Sequence, residues 1–170
     1  MNLDSGKRVL FLGEEIIDVY HYGRPLARPL KEQILCVEYA GTETFRGGVV
    51  AAAKHAEPFC DKIDVVATRR LRKERFVEES HFRKLFEVYY EDDLEAPRTV
   101  PPLESYDAVV AIDYGHGMFD DALIAKLSRD SAFLAVNVQT NSGNYGFHLA
   151  KRWPRADYLC VDESEARLAP

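Results

Sequence analysis

The segment from Asp107 to Gly117 constrains the fold more than any other part of the sequence. It reads Asp-Ala-Val-Val-Ala-Ile-Asp-Tyr-Gly-His-Gly, so a purely apolar run lies between two aspartates. Because polarity does not alternate and β-branched side chains dominate the run, this pattern is typical of a strand covered on both faces in a parallel sheet. Gly115 and Gly117 then allow a sharp turn toward a helix that is predicted to start at Asp120.

The end of this predicted strand is the first candidate for chemistry. In open parallel sheets, ligands bind beyond the carboxyl ends of the strands. Asp113 and His116 fall at that position, where the histidine could donate a hydrogen bond to a phosphate or a sugar. The same two residues also suit a plain strand-to-helix turn, and the pattern alone leaves both interpretations open.

Size and composition favour one domain over residues 1–170. A chain of 170 residues can bury roughly 70% of its unfolded surface. The net charge of −6 disfavours nucleic-acid binding, since phosphate contacts need a basic surface. No stretch approaches the length of a membrane span. Three cysteines without metal-ligand spacing predict buried thiols in the reducing cytoplasm.

Strand patterns dominate the first quarter of the chain. Residues 8–12 form a short apolar run that predicts a first parallel strand. Residues 14–22 and 33–39 are rich in β-branched and aromatic side chains. Because no helical segment separates these two stretches, they are expected to pair antiparallel as a small accessory sheet. An alanine-rich helix over residues 49–56 follows and is stopped by Pro58.

The middle of the chain is less regular. Residues 63–67 predict a second core strand, and residues 85–90 predict another strand. Between them, residues 69–84 are charged and are predicted to be partly helical. Five basic side chains over residues 69–75 could form a local basic patch, but Glu74, Glu78 and Glu79 follow closely, which is typical of a solvated face. Residues 91–102 carry four acidic residues and three prolines, so they are the best linker candidate.

Strand and helix patterns alternate after this linker, which predicts a parallel sheet with right-handed crossovers. The sequence therefore predicts an α/β fold with a parallel Rossmann-like sheet, flanking helices and a small antiparallel sheet. Beyond the strand that ends at Asp113, the expected elements are a helix over 120–127, a strand over 133–138, a loop over 139–143, a short helix near 145–151, a strand over 158–161 and a helix from Glu163.

Polar residues at other strand ends extend the candidate site. Asp18 could hydrogen-bond two hydroxyls of a sugar, or it could be a surface residue of an alternating strand. Gly47 and Gly48 could bring backbone N–H groups to a ligand at a helix start, or they could only make a turn. Asn141 lies in a loop dense in amides and hydroxyls, which suits a hydroxyl-rich ligand and a plain turn equally well.

Asp162 and Glu165 form the one candidate for a metal site. They are one helical turn apart and could hold Mg²⁺ through water molecules, because hard cations prefer oxygen ligands. The alternative is that Asp162 only caps the helix that follows.

The order of these motifs resembles the ribokinase-like (PfkB-type) carbohydrate kinases and, within them, the heptose-phosphate kinase branch. Four features carry the resemblance: a first strand followed by an aspartate, a glycine pair before an alanine-rich helix, a turn with histidine at a lysine position of the family, and an Asp-Glu-Ser-Glu sequence where the family has Asn-x-x-Glu. In this sequence they are residues 9–18, Gly47 with Gly48, residues 113–117 and residues 162–165.

The resemblance implies a binding site for a sugar or a sugar phosphate, with Asp18 and the glycine pair facing the sugar. It also implies ATP and Mg²⁺ as cofactors, with Asp162 and Glu165 at the metal. The accessory sheet would be the lid that closes over the sugar in this family and often mediates dimerisation. A complete enzyme would transfer the γ-phosphate of ATP to a sugar hydroxyl.

The resemblance also implies that the kinase is incomplete. The family's glycine-rich anion hole, its catalytic aspartate and most of its ATP pocket would lie beyond Pro170, so no catalytic base is assigned. The chain also looks shorter than the family between Thr68 and Arg69. Because phosphoryl transfer depends on donors around the transferred group, the isolated chain is expected to be inactive. The alternatives are a non-catalytic module for oligomerisation or regulation, as a homodimer or with a partner chain, and repurposed chemistry at Asp113 and His116.

Overall fold

A seven-stranded sheet flanked by α-helices forms the part of the chain that the computed structural model describes, residues 6–27, 29–91, 99–141 and 143–168. The elements are β1 (Arg8–Pro25), β2 (Val37–Gly48), α1 (Val49–Ala56), β3 (Lys62–Glu78), β4 (Arg83–Glu91), β5 (Ala108–Asp113), α2 (Asp121–Asp130), β6 (Leu134–Val138), β7 (Tyr158–Cys160) and α3 (Glu163–Leu168). The strand order is β4-β3-β1-β5-β6-β7, and β2 also pairs with β1. The predicted α/β fold with a mostly parallel sheet is confirmed.

The first strand belongs to two regions of the sheet. Residues 9–13 of β1 pair in parallel with β5, whereas residues 15–25 pair antiparallel with β2. We call the parallel region formed by β5, β6, β7 and the first halves of β1 and β3 the core sheet. The region formed by β2, β4 and the second halves of β1 and β3 is the lid sheet. The sequence predicted two separate strands over 8–12 and 14–22; instead the strand continues, and its register against β3 shifts between Gly13 and Glu15.

The lid sheet is larger than the sequence predicted. The expected antiparallel pairing forms, but the second strand begins at Val37 rather than at residue 33. The partly helical interpretation of residues 69–84 was wrong, because residues up to Glu78 continue β3 and β4 starts at Arg83. Charged side chains here find partners across strands; for example, Glu74 lies 3.2 Å from a ring nitrogen of His21 on β1.

Two apolar clusters cover the two faces of the core sheet. Leu10 and Leu12 of β1 belong to the cluster under α2, and Val9 and Phe11 belong to the cluster under α1. Alternate residues of one strand therefore point to opposite faces, as strand geometry requires. Both faces of β1 are buried here, which explains why its sequence is apolar without alternation.

The second half of the chain follows the predicted order, except for the helix expected near residues 145–151. Asp120 caps α2, as its side chain accepts the N–H of Leu123 at 2.8 Å. The helix expected near residues 145–151 was wrong: residues 143–147 form turns, Gly146 has a backbone φ of 79°, and only a short 3-10 helix follows at Ala150–Arg152. A residue in the left-handed region interrupts regular α-helical hydrogen bonding.

Three smaller predictions concern the linker, the thiols and the membrane. Most of the predicted linker, residues 92–98, lies outside the described residues. The prediction of buried thiols was wrong, because Cys160 is exposed and Cys36 and Cys60 are partly exposed. Among the described residues, no helix is both long enough and apolar enough to cross a membrane.

Gly48 is expected to be essential for the junction of β2 and α1. Its backbone φ is +64°, and a Cβ at this position would lie 2.1 Å from the carbonyl oxygen of Glu14. The Gly48→Ala substitution should therefore lower the free energy of unfolding by about 2 kcal/mol or more, as measured by urea denaturation. Gly41→Ala is the control, because no atom lies within 4 Å of its Cβ position. Equal destabilisation by both substitutions would contradict this account.

Candidate functional site

The candidate site lies where β1 leaves the core sheet and β5 ends. The chain turns through residues 114–118 after β5, and we call this segment the ligand loop. The loop that follows β6 packs against it, because the side-chain amides of Asn141 and Asn144 both donate to the carbonyl oxygen of Tyr114, at 2.9 and 3.1 Å. The ends of β1, β5 and β6 thus meet, as expected of neighbouring strands in a parallel sheet.

A buried glutamate holds the ligand loop. Glu14 is fully buried, and its Oε2 accepts the backbone N–H of Tyr114 at 2.9 Å. Its Oε1 accepts the N–H groups of His116 at 3.1 Å and Met118 at 3.2 Å. Burial raises the pKa of Glu14 and the carboxylate of Asp113 adds to this, although the three N–H donors oppose the rise. One carboxylate therefore determines the path of the whole loop.

Asp113 lies beneath the loop with its oxygens already engaged. Oδ1 accepts the N–H of Gly115 at 3.2 Å, and Oδ2 accepts the indole N–H of Trp153 at 3.1 Å. Nε2 of His148 lies 2.8 Å from Oδ1 but without hydrogen-bond geometry. Arg152 donates to Nδ1 of His148 at 3.0 Å.

The predicted residues of the ligand loop and its neighbour come together. Nε2 of His116 is 3.5 Å from the side-chain nitrogen of Asn141. Both side chains are partly exposed, whereas Asp113 is buried. A ligand could therefore reach His116 and Asn141 directly, but it could reach Asp113 only by displacing one of that residue's present partners.

The predicted residues of the lid sheet form a second group. Asp18 makes an ion pair with Arg75 of β3. Gly47 lies against the same carboxylate, since a Cβ there would be 2.7 Å from Oδ2 of Asp18. Tyr114 packs on the apolar cluster that contains Val49, next to the glycine pair. Burial raises the pKa of the Tyr114 hydroxyl, and the carboxylates of Glu14 and Asp18 add to the rise.

The lid sheet presents more positive charge beside Asp18 than the sequence suggested. Lys73 is the strand partner of Asp18, and its amino group lies 5.0 Å from the centroid of the Tyr89 ring. Lys73 is only 7% exposed, so the interpretation of this basic stretch as a solvated face was wrong for it. Burial and the nearby guanidinium of Arg75 lower the pKa of the Lys73 amine.

Asp162 and Glu165 form a reciprocal helix cap. The N–H of Glu165 donates to Oδ1 of Asp162, and the N–H of Asp162 donates to Oε2 of Glu165, both at 2.7 Å. The other oxygen of Glu165 accepts the N–H of Thr140 at 2.9 Å. In the described part of the chain, no group of three or more His, Cys, Asp or Glu side chains could hold a metal. The role of Asp162 and Glu165 at a metal stays a prediction from the resemblance.

Sequence reasoning missed four residues that organise this site: Glu14, His148, Arg152 and Trp153. Glu14 offered the clearest signal, since strand alternation places it on the buried side directly after an apolar run. The other three lie 35–40 residues after Asp113 in the sequence, and no local pattern connects them to it.

The fold is that of the ribokinase-like carbohydrate kinases, a parallel core sheet with a lid built from extensions of its strands. A carbohydrate kinase from Agrobacterium tumefaciens aligns with 95% of the chain at a TM-score of 0.55 and 16% identity. Ribokinase from Giardia lamblia aligns with 94% at 0.52 and 15% identity. A Burkholderia thailandensis nucleoside kinase, solved in complex with inosine, aligns with 94% at 0.51 and 10% identity.

These similarities are similarities of fold. The chain spans 62% of the Agrobacterium and Burkholderia proteins and 63% of the Giardia protein. No protein-family model and no curated protein matches the sequence. The resemblance to ribokinase-like kinases is therefore confirmed at the level of fold, whereas the heptose-phosphate branch and the truncation stay predictions.

Ionisation of Glu14 is expected to lower stability as the pH rises. Its pKa in the folded protein is raised above the ordinary 4.5. Just above that pH the folded state therefore keeps a proton that the unfolded state has lost, and stability falls until the raised pKa is passed. Glu14→Gln removes this dependence. In urea titrations from about pH 4 to about pH 8, the wild-type stability minus the variant stability should therefore decrease.

Glu78→Gln is the control, because the contribution of Glu78 to stability changes with pH in the opposite direction. Hydrogen bonds from the Ser80 side chain and from the N–H groups of Ser80 and His81 lower the pKa of Glu78 to about 2. The contribution of Glu78 to stability is therefore present above pH 4.5 and is lost as the pH falls toward 2, so the titration of this variant is extended down to about pH 2. A difference between wild type and Glu14→Gln that increased with pH would contradict the account of Glu14.

Proposed function

We propose that this chain is a domain that binds a sugar or a sugar phosphate and is related to ATP-dependent carbohydrate kinases. The observation that carries the proposal is that the glycine pair adjoins both Asp18 and the ligand loop. Gly47 lies against the Asp18 carboxylate, and Tyr114 packs on the apolar cluster that contains Val49, the residue after Gly48. The fold supports the class of ligand, since the proteins that share it include a carbohydrate kinase and a ribokinase.

Each predicted residue has a distinct role in this proposal. Asp18 accepts hydrogen bonds from sugar hydroxyls, and Gly47 and Gly48 let the sugar approach the backbone closely. His116 contacts the ligand from the core side, next to Asn141. Asp113 supports the loop from below, because its oxygens already have partners.

A phosphate on the sugar would suit the charge of the lid sheet. Lys73 and Arg75 lie on the same face as Asp18, and both carry positive charge beside the proposed site. Ionised donors make the stronger hydrogen bonds to phosphate oxygens. A sugar phosphate is therefore our preferred ligand over a neutral sugar.

Phosphoryl transfer is not proposed for the isolated chain. By resemblance, ATP and Mg²⁺ would serve a complete kinase, whose anion hole and catalytic base this chain is expected to lack. The chain also spans under two thirds of the kinases that share its fold. A cytoplasmic location and a homodimer or partner chain remain predictions.

Isothermal titration calorimetry with sedoheptulose 7-phosphate and with ribose tests the proposal. We expect binding of the phosphate, and Asp18→Asn should weaken it about tenfold or more because it removes an ionised acceptor. Asp130→Asn is the control, since that exposed side chain pairs with Arg129 at the C-terminal end of α2. Absence of binding to both sugars would refute the proposal, and robust ADP release from ATP would refute the expected inactivity.

A non-catalytic oligomerisation module is the second candidate function. The lid sheet exposes large aromatic side chains on one face of β4, including Phe86 and Tyr90, which are 50% and 38% exposed. Exposed aromatic groups on one sheet favour association with another surface. Association with a second copy would cover them.

Light scattering at micromolar concentration tests this second function. If the lid sheet mediates association, the wild type should have the mass of a dimer and Phe86→Lys should have the mass of a monomer, because a buried charge opposes association. Phe147→Ser is the control, since this exposed side chain lies in the loop after β6. A monomeric wild type would count against the module.

A further inference from the structure

Glu14 lies at the junction of the two sheet regions. The pairing of β1 with β5 ends at Gly13, and its pairing with β2 starts at Glu15. The backbone carbonyl of Glu14 packs so closely on Gly48 that a Cβ there would be 2.1 Å from its oxygen. The side-chain carboxylate of the same residue accepts hydrogen bonds from three backbone N–H groups of the ligand loop.

We propose that Glu14 is a positioning residue that ties the lid sheet to the ligand loop. The two segments that the proposed function assigns to the sugar, Gly47–Gly48 and residues 114–118, contact this one residue through different groups. The carbonyl touches the lid segment and the carboxylate holds the loop. A change in the angle of β1 at this point moves both groups, so the loop follows the lid.

The hydrogen bonds from the loop to the Glu14 carboxylate also determine which groups of the loop can contact a ligand. Three N–H groups that converge on one point resemble the backbone nests that bind anions. Here the carboxylate of Glu14 fills the nest from inside the protein. A ligand therefore meets the partly exposed side chains of Tyr114 and His116 rather than the backbone N–H groups of the loop.

The two carboxylate oxygens of Glu14 accept different numbers of hydrogen bonds, and this difference provides a test. Oε1 accepts two N–H groups, from His116 and Met118, whereas Oε2 accepts only that of Tyr114. In Glu14→Gln, the amide oxygen keeps two hydrogen bonds if it takes the position of Oε1. The amide NH₂ then faces the N–H of Tyr114 and cannot accept from it.

Amide hydrogen exchange, measured by NMR on the whole chain without ligand, tests the proposal. In Glu14→Ala, exchange at Tyr114, His116 and Met118 should be about tenfold faster or more, since each amide loses its acceptor. The amides of β2 next to Gly48 should also exchange faster. In Glu14→Gln, the increase should be largest at Tyr114. Glu15→Gln is the matched control, because this buried neighbour pairs with Arg46 instead.

Chemical rescue separates a lost anion from a general loss of packing. Added formate should restore slow exchange at the three loop amides in Glu14→Ala, whereas neutral formamide should not. Unchanged exchange at the loop, a uniform increase along the chain, or equal rescue by formamide would each overturn the proposal. If Glu14→Ala does not fold, the pattern in Glu14→Gln decides. A largest increase at Tyr114, or at His116 and Met118 with the amide reversed, supports the proposal, and an unchanged or uniform pattern overturns it.

The inference rests on the proposed function only for the identity of the ligand. Because the exchange experiment contains no sugar, its result does not depend on whether sedoheptulose 7-phosphate binds. Failure of binding in calorimetry with the expected exchange pattern would refute the proposed function alone. Binding with an unchanged loop in Glu14→Ala would refute the positioning role alone.

Discussion

Hydrogen bonding on both sides of one long strand determines the architecture of this protein. β1 pairs with β3 along one side, and on the other side it pairs first with β5 and then with β2. An unpaired strand edge within a sheet would leave backbone groups without partners, so the change of partner must occur within a residue or two. Glu14 lies at that change. The lid sheet is therefore a direct extension of the core sheet, and its attachment follows from the path of a single strand.

Buried charge at this junction explains the glycines that the sequence places after β5. Burying a carboxylate is costly unless hydrogen bonds compensate for the lost water. Glu14 obtains three backbone N–H donors, but one segment can supply them only if it coils tightly around the carboxylate. Gly115 and Gly117 make this possible with backbone φ values of 75° and 95°, which other residues rarely adopt. The Gly-His-Gly pattern is thus a structural requirement of the glutamate as well as a candidate ligand contact.

The relation to known kinases is one of architecture, and it leaves the chemistry to be argued from the residues themselves. At identities of 10–16%, the shared fold carries no residue roles with it. Among the candidate residues, Asp113 accepts a hydrogen bond from Trp153 and Asp162 caps α3. Lys73, Arg75 and Asp18 give the lid sheet a mixed charge that suits a polar ligand with an anionic group.

The sequence by itself determined the core sheet, its helices and half of the candidate site. Apolar runs without alternation identify strands buried on both faces, and strand ends in a parallel sheet meet at one edge; these local rules placed Asp113, His116 and Asn141 together. The tertiary structure alone decided the lid strand over residues 69–78, because charged side chains there are partnered across strands and such pairs leave no local pattern. It also decided the contacts of Glu14 and His148, since hydrogen bonds between segments distant in sequence depend on how the strands are brought together and not on the order of residues within either segment.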